Sequence, residues 1–474
     1  MMNGKKHRNK GDKMLLQHSG TPIEDVRKII EKKNIRIYMI GICGASMSSL
    51  ARELKRRGAA VFGSDISSPA VRAALISEGI YVSSVHSERA MVSFEPDLVV
   101  YSLAVTGDNV EYRYAIDNGI LAISRAELLG ALVSTYGESV GVCGSHGKST
   151  VTSMIYHILS RVGQAPALFE GAPIKEKQEA LCDTVVFEAC EYRDSFLRMK
   201  SSLGVILNIE LDHTDYFKDL DAIRCSFRSY AEGCSRVLIN VDDDAAGNMI
   251  FGLSATVLTY GKSPLADYRF EIISENRGKF SFRLHYKGDS TGEISLDVPG
   301  EFNVSNAAAA IAAAHLLGVS LVDAGEAIAT YKGIGRRLER LSCTLLPVYY
   351  DYAHHPTEMR AVLEALSRMG YSKIGVIFSP HTYSRTQALW SDFVEVLSLP
   401  HATVITDVYA AREEKIDGVD SQTLANACRA GGANAVSLNG EKAFSWLLSH
   451  EVDVAVLMGA GNLDAVLSAV QKER

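Results

Sequence analysis

No cysteine in this chain stands in a Cys-x-x-Cys pair. The eight are scattered, at Cys43, Cys143, Cys182, Cys190, Cys225, Cys234, Cys343 and Cys428. In a long chain this predicts reduced, mostly buried thiols in a cytoplasmic protein rather than a disulfide framework. No run of about 18 apolar residues occurs, so neither a transmembrane helix nor a membrane partner is expected. The stretch Met14 to His18 is too short and too polar for a secretory h-region. Positive charge is not in excess: 49 basic residues face 56 acidic ones, a net charge of −7. That removes bulk electrostatic support for a nucleic-acid partner. Basic residues gather only in Lys5, Lys6, His7, Arg8 and Lys10, which read as a leader tail. Solenoid-length repeats and low-complexity linkers are also missing.

What the chain does contain is alternation. Short β-branched runs take turns with helical patterns, the rhythm of βαβ units and parallel sheets. Ile35 to Ile40, Val61 to Asp65 and Asp97 to Ser102 read as strands, with a helix over Met47 to Arg57. A second unit starts with a strand over Ser139 to Cys143 and a helix over Ser149 to Val162. It continues with strands over Val185 to Glu188 and Gly204 to Asn208. Residues 268–298 alternate and read as antiparallel, and Asn303 to Leu317 as an alanine-rich helix. A third unit has strands over Val348 to Tyr350, Lys373 to Phe378, Thr403 to Thr406 and Val454 to Leu457. The expected class is α/β with three domains: a Rossmann-like one at 35–136 after a leader and first helix (1–34), a central P-loop ATPase-type one at 137–335, and a C-terminal Rossmann-like one at 336–474.

Gly144-Ser145-His146-Gly147-Lys148-Ser149-Thr150 follows a buried strand and opens a helix. Backbone N–H groups of such a loop wrap phosphates, and the helix terminus adds partial positive charge. Lys148 would sit against the terminal phosphates, with the Ser149 hydroxyl on Mg²⁺. The strict Gly-x-x-x-x-Gly-Lys-Ser pattern fails because Val142 holds its first glycine position, so the loop is a short form. A glycine turn without ligand is the alternative, and Lys-Ser at a helix start weighs against it. Glu188 and His213 are placed at strand ends on the loop side, where ligands of doubly wound sheets bind. Mg²⁺ prefers oxygen, so His213 is an unusual ligand and is proposed only because it accompanies Glu188 and Lys148.

Gly41-Ile42-Cys43-Gly44-Ala45-Ser46 also joins a strand to a helix, with Asp65 ending the next strand. Cys43 and Ser46 occupy positions where a dinucleotide fingerprint needs glycine. Plain αβ packing and a diphosphate site for another nucleotide both remain open. His354-His355 reads as a possible transition-metal pair, but no third ligand at useful spacing accompanies it. Arg336-Arg337 is either a solvated corner or part of the site.

Taken together these motifs resemble the Mur ligases of peptidoglycan synthesis, over roughly residues 35–465, and most closely the L-alanine-adding branch. Gly41, Gly44, Ala45 and Ser46 lie in a turn similar to the one that holds the UDP-sugar diphosphate. Ser102 to Asn109 is similar to that domain's Ser-Ser-Ala-Ile-x-x-Asp-Asn segment. The loop at 144–150 looks like the ligase ATP loop. The resemblance implies Mg²⁺ on Ser149, Glu188 and His213, in two sites. It implies ATP contacts from Asn303 and Asn306, from Arg337, and from Asp351. Asp351 to Glu358 and Ser379 to Thr386 are the most specific matches. They place His354, His381 and Arg385 at the amino acid, with Arg385 suited to a bidentate grip on its carboxylate. Glu191 and Tyr409 are carried over as substrate-lining.

The implied catalytic set is therefore Lys148, Glu188, His213, Arg337, His354 and Arg385. The implied activity is an ATP-dependent ligase that joins L-alanine to the carboxylate of UDP-N-acetylmuramate through an acyl phosphate, acting as a monomer or homodimer. Two other readings remain: a ligase adding a preformed peptide to the same sugar in recycling, and a UDP-sugar-binding regulator that hydrolyses no ATP. Lys148, Glu188, His213 and Arg337 standing together argue against the regulator. The sequence departs from the family at Cys190, Tyr192 and Arg193, and at Thr382, where some members carry arginine. Phe227-Arg228-Ser229 offers no lysine for carbamylation.

Overall fold

A computed structural model describes residues 16–170, 182–214, 216–411, 413–461 and 463–473. The basic cluster at residues 5–10 lies outside these, as does Arg412. The chain divides into two compact units, the first essentially Met1–Gly137 and the second holding nearly all the rest.

The first unit is built on five strands: β1 (Arg36–Ile40), β2 (Ala60–Ser64), β3 (Tyr81–Ser83), β4 (Leu98–Tyr101) and β5 (Ala122–Ser124). They run parallel in the order β3-β2-β1-β4-β5. Ile37, Met39, Ile40 and Leu98 to Val100 are completely buried, as the near-continuous apolar runs of a parallel sheet require. The chain winds outward from β1 in one direction and resumes at β4 in the other. That leaves a crevice at the carboxyl ends of β1 and β4. Gly41 sits there with φ +79°, and a Cβ on it would lie 3.4 Å from that of Ser102.

The second unit carries two sheets. Its larger one holds β6 (Glu138–Cys143), β7 (Ala167–Phe169), β8 (Thr184–Glu188), β9 (Leu203–Ile206), β10 (Arg236–Asn240), β11 (Thr256–Gly261), β12 (Tyr268–Asn276), β13 (Lys279–Tyr286), β14 (Asp289–Ser290) and β15 (Ile294–Ser295). The order is β14-β13-β12-β11-β10-β9-β6-β8-β7, with β15 beside β13. The pairs around β6 are parallel, while β12 and β13 form the expected antiparallel ribbon. Helices Lys148–Arg161, Phe302–Leu316 and Leu321–Ala329 share one buried apolar core with this sheet. In Phe302–Leu316 every side chain from Ala307 to Ala314 is fully buried, seven of the eight being alanine, so neighbouring backbones approach closely.

The other sheet consists of β16 (Glu339–Leu341), β17 (Val348–Asp351), β18 (Ile374–Phe378), β19 (Ala402–Ile405), β20 (Ala435–Ser437) and β21 (Val454–Met458). Its order, β16-β17-β21-β18-β19-β20, inserts the last strand between the second and third. Separate cores cover its two faces, so the inner strands β21, β18 and β19 are almost wholly apolar. All eight cysteines are free, four of them buried. No helix among the described residues is long and apolar enough to cross a membrane.

Candidate active site

β6 ends at Cys143, and the chain turns through Gly144 (φ +151°) and Gly147 (φ +86°) into helix Lys148–Arg161. A Cβ at Gly144 would lie 2.9 Å from the Leu207 Cβ, so the turn closes only on glycine. Asn208, in the loop after β9, braces it: its carbonyl accepts from Ser145 N–H at 3.1 Å and its Oδ1 from His146 N–H at 2.8 Å. Gly147 offers no side-chain cap, which leaves the N–H groups of the first helical turn, at Lys148, Ser149 and Thr150, facing outward.

Lys148 Nζ donates to Gly144 O at 2.5 Å and to Glu191 Oε1 at 2.9 Å. Burial by itself would lower the ammonium pKa, but Glu191 outweighs it, with help from Glu188, and the pKa is raised. Glu191 is wholly buried, and its Oε2 has no hydrogen-bond partner among the described residues. Burial would push this carboxyl up, yet Lys148 and His213 hold it below the ordinary value. His213 Nε2 lies 3.6 Å from Glu191 Oε1, and the His213 backbone is left-handed at φ +53°. Glu188 is the last residue of β8 and adds negative charge beside Lys148 and Arg337. His213, by contrast, lies seven residues past the end of β9, in a loop rather than at a strand end. Glu191 therefore faces the phosphate-loop lysine and not an open substrate surface.

A cleft of about 770 Å³ opens from the loop, within the usual size range of small-molecule sites. His146, Gly147 and Thr150 form one end, and Asn303 and Asn306 project into it from helix Phe302–Leu316. Arg337 and Asp351 line it as well. Arg336 is no solvated corner either: its guanidinium lies 4.7 Å from the ring centroid of Tyr352 and 5.1 Å from that of Tyr350. A lysine, an uncapped helix start and a buried carboxylate with an unused oxygen suit a triphosphate carrying a divalent cation.

Asp351 accepts the backbone N–H groups of Leu338 and Ala353, both at 2.7 Å. Burial nevertheless pushes its carboxyl up to about 6, against the opposing pull of Arg337. Because the folded pKa exceeds the unfolded one, the native protein should gain stability over an Asp351→Asn variant as pH falls. The gain is complete below about pH 4 and is lost as pH rises through about 6, amounting to roughly 3 kcal/mol at most. Urea unfolding of both proteins between those limits tests this, and a stability gap that ignores pH would refute it.

A third group gathers around Arg385. Its Nε and Nη2 donate to Asp212 Oδ1 at 3.0 and 2.8 Å, and its Nη1 to His381 Nδ1 at 3.0 Å. Both members of the ion pair are buried. The Tyr409 ring stacks on His381 with centroids 5.6 Å apart, and His354 meets His381 edge-on at 5.9 Å. The Nδ1 of His354 lies 3.0 Å from the Tyr352 carbonyl, which can only accept, so Nε2 is its lone-pair nitrogen. Burial lowers the His354 pKa to about 4.

Glu358, Asp212 and Glu210 lay in the segments read from sequence without a role. Glu358 Oε1 lies 3.3 Å from His146 Nδ1 and 3.5 Å from Arg337 Nη1, and its Oε2 is 3.4 Å from His354 Nδ1. Burial would raise this carboxyl, but His146, His354 and Arg337 hold it well below the usual range. The four-residue spacing from His354 across a helix start was the one sequence signal for it.

In the first unit, Gly44 caps helix Ala45–Arg56 without a side-chain hydrogen bond, and the Ser46 hydroxyl accepts from Arg125 at 3.0 Å. Asp65 accepts from Cys43 N–H at 2.8 Å and so holds the glycine turn. Asn109 caps helix Val110–Asp117 through Oδ1, a structural use of a residue assigned to substrate. The Ser102 hydroxyl accepts from Ala104 N–H at 3.3 Å.

Three family models match in succession: Mur ligase family, catalytic domain, at 36–136; Mur ligase middle domain at 142–314; and Mur ligase, glutamate ligase domain, at 336–461. The chain belongs to the Mur ligase family. As a Mur ligase it is an ATP-dependent, amide-forming enzyme. It is 39% identical over 443 residues to the UDP-N-acetylmuramate–L-alanine ligase of Caldanaerobacter subterraneus subsp. tengcongensis, covering 90% of this chain and 95% of that protein. Its counterpart in Caldicellulosiruptor saccharolyticus is 36% identical, over 92% and 98% of the two chains. The UDP-N-acetylmuramate–alanine ligase of Thermotoga maritima superposes with a TM-score of 0.78 at 26% identity, covering 92% of this chain and 99% of that one. The fold is shared with a murein peptide ligase of Psychrobacter arcticus, at a TM-score of 0.70, 22% identity and coverage of 93% and 98%.

Proposed function

We propose that this Mur ligase joins L-alanine to the carboxylate of UDP-N-acetylmuramate at the expense of ATP, in peptidoglycan precursor synthesis in the cytoplasm. The 39% identity to a relative of that activity carries the reading. Its chemistry suits the groups present. A carboxylate does not condense with an amine at neutral pH, so the sugar carboxylate first takes the γ-phosphoryl group of ATP. The amine then attacks the acyl phosphate, and inorganic phosphate leaves from the tetrahedral intermediate. Mg²⁺ bound near Ser149, Glu188 and His213 would neutralise phosphate charge.

Lys148 and Arg337 hold fixed positive charge where the phosphoryl group collects negative charge. The helix start at Lys148 orients the phosphates, and Asn303 and Asn306 line the cleft, Asn306 beside Gly147 of the loop. Arg385 grips the amino-acid carboxylate. The incoming ammonium must shed a proton, and the nearby positive charge of the buried Arg385 disfavours its charged form. The neutral His354, with its Nε2 lone pair, accepts the hydrogen bond of the amine.

The test is ATP turnover measured with each component omitted in turn. Turnover should require both UDP-N-acetylmuramate and an amino acid, with L-alanine preferred over glycine, serine and a tripeptide. Preference for the tripeptide would instead assign the recycling reaction.

A further inference from the structure

The wall of the cleft holds a cluster that phosphoryl transfer does not use. His146 Nε2 lies 2.8 Å from Glu210 Oε2, and His355 Nδ1 lies 3.5 Å from the same oxygen. The two imidazole rings are 5.0 Å apart. One ligand atom from each of the three residues falls within 4.8 Å of the other two. The sequence offered a His354-His355 pair with no third ligand. The fold separates the pair: His354 turns to Tyr352 and His381, while His355 joins His146 and Glu210, which lie far away along the chain.

His355 is 6% exposed and its Nε2 has no hydrogen-bond partner among the described residues. Its Nδ1 accepts the Thr357 N–H at 3.3 Å, so this nitrogen presents a lone pair beside the lone pairs of Glu210. Moving the ring hydrogen to Nδ1 would satisfy Glu210 but leave a bare acceptor buried at Nε2. With the hydrogen on Nε2, the lone pairs of His355 Nδ1 and Glu210 Oε2 face each other at 3.5 Å, a repulsion that a cation bound between them removes.

We propose that His146, Glu210 and His355 form a transition-metal site selective for Zn²⁺. Two imidazoles and a carboxylate are a zinc donor set, whereas Mg²⁺ prefers all-oxygen surroundings. Zinc bonds of about 2.0–2.2 Å in a tetrahedron set donors roughly 3.3–3.5 Å apart; the His355–Glu210 spacing of 3.5 Å matches this, and the 2.8 Å hydrogen bond between His146 and Glu210 would open to reach it. The outer contact is also in place: His146 Nδ1 faces Glu358 Oε1 at 3.3 Å, the carboxylate–histidine–metal arrangement that orients a ligating ring through its second nitrogen. His146 and Glu210 line the cleft, so a fourth coordination position opens toward the nucleotide. The ion would tie the phosphate loop and the loop after β9 to the start of helix Pro356–Arg368. Coordination requires both rings to present a lone pair, so zinc displaces the hydrogen that His146, kept protonated by Glu358 and Glu210, shares with Glu210, and it takes the His355 Nδ1 lone pair from the Thr357 N–H.

The test uses the full chain without nucleotide, in excess Mg²⁺ to fill oxygen-donor sites. Titration with Co²⁺ should give one equivalent of a visible-absorbing, low-coordinate complex that one equivalent of Zn²⁺ bleaches. His355→Gln and Glu210→Gln should each weaken Zn²⁺ binding more than about tenfold while keeping the native circular dichroism. His213→Gln, beside Lys148 and Glu191, should leave the affinity unchanged. The proposal is overturned if the absorbing complex fails to form. It is equally overturned if the complex persists in both folded cluster variants, or if it responds to His213→Gln instead.

Discussion

Lys148→Ala should reduce ATP turnover by at least about a thousandfold, the upper range for removing one preorganised charge from a transition state. UDP-sugar binding, followed calorimetrically, should survive, because the glycine turn at Gly41, the proposed diphosphate site, belongs to the other compact unit. The substitution has a second consequence. Glu191 is entirely buried and takes its compensation from Lys148 at 2.9 Å. Removing the lysine strands that carboxylate, at about 3–5 kcal/mol. The double variant Lys148→Ala/Glu191→Gln should recover much of the stability and none of the turnover. This separation distinguishes a catalytic cation from a structural one. Full turnover in the single variant would sink the assignment of the loop.

The second large effect concerns the amino acid. Arg385→Ala should raise its KM by roughly 30- to 1000-fold, the scale of losing one partner of a buried, hydrogen-bonded charge pair at about 2–4 kcal/mol. The KM for ATP should move by less than about twofold. Asp212 already occupies two guanidinium nitrogens through one oxygen, so the proposed substrate carboxylate has to share or displace that contact. Equal changes in both KM values would show that Arg385 only holds the fold together, because a positioning defect alone has no reason to single out the amino acid.

Much of the scaffold was legible. The strands now seen at Arg36–Ile40, Glu138–Cys143, Thr184–Glu188 and Val454–Met458 lie within two residues of the sequence reading, because their β-branched runs are buried on both faces. Tyr81–Ser83, Ala122–Ser124 and Ala435–Ser437 were passed over, since three residues carry no period. The phosphate loop was legible for a different reason, as its whole chemistry is contiguous. Glu358 and Asp212 were not. Their meaning comes from partners at Arg337, His146 and Arg385, brought together only by folding, as in the 173-residue separation of Asp212 and Arg385. Asn109, placed by motif resemblance, also has a structural use that the motif did not show: it caps a helix through Oδ1.

The alanine helix Phe302–Leu316 sets how this protein can drift over generations. Its eight residues from Ala307 to Ala314 have no exposed surface, and seven of those side chains are single methyl groups. A larger side chain there has nowhere to go without displacing the Asn303 and Asn306 end that borders the nucleotide cleft. Smaller ones lose helix propensity instead. Substitutions should therefore accumulate on the rims of the sheets and almost never along this segment. The helix is a ruler against which the two asparagines lining the cleft are held, and its length and girth are not free to vary.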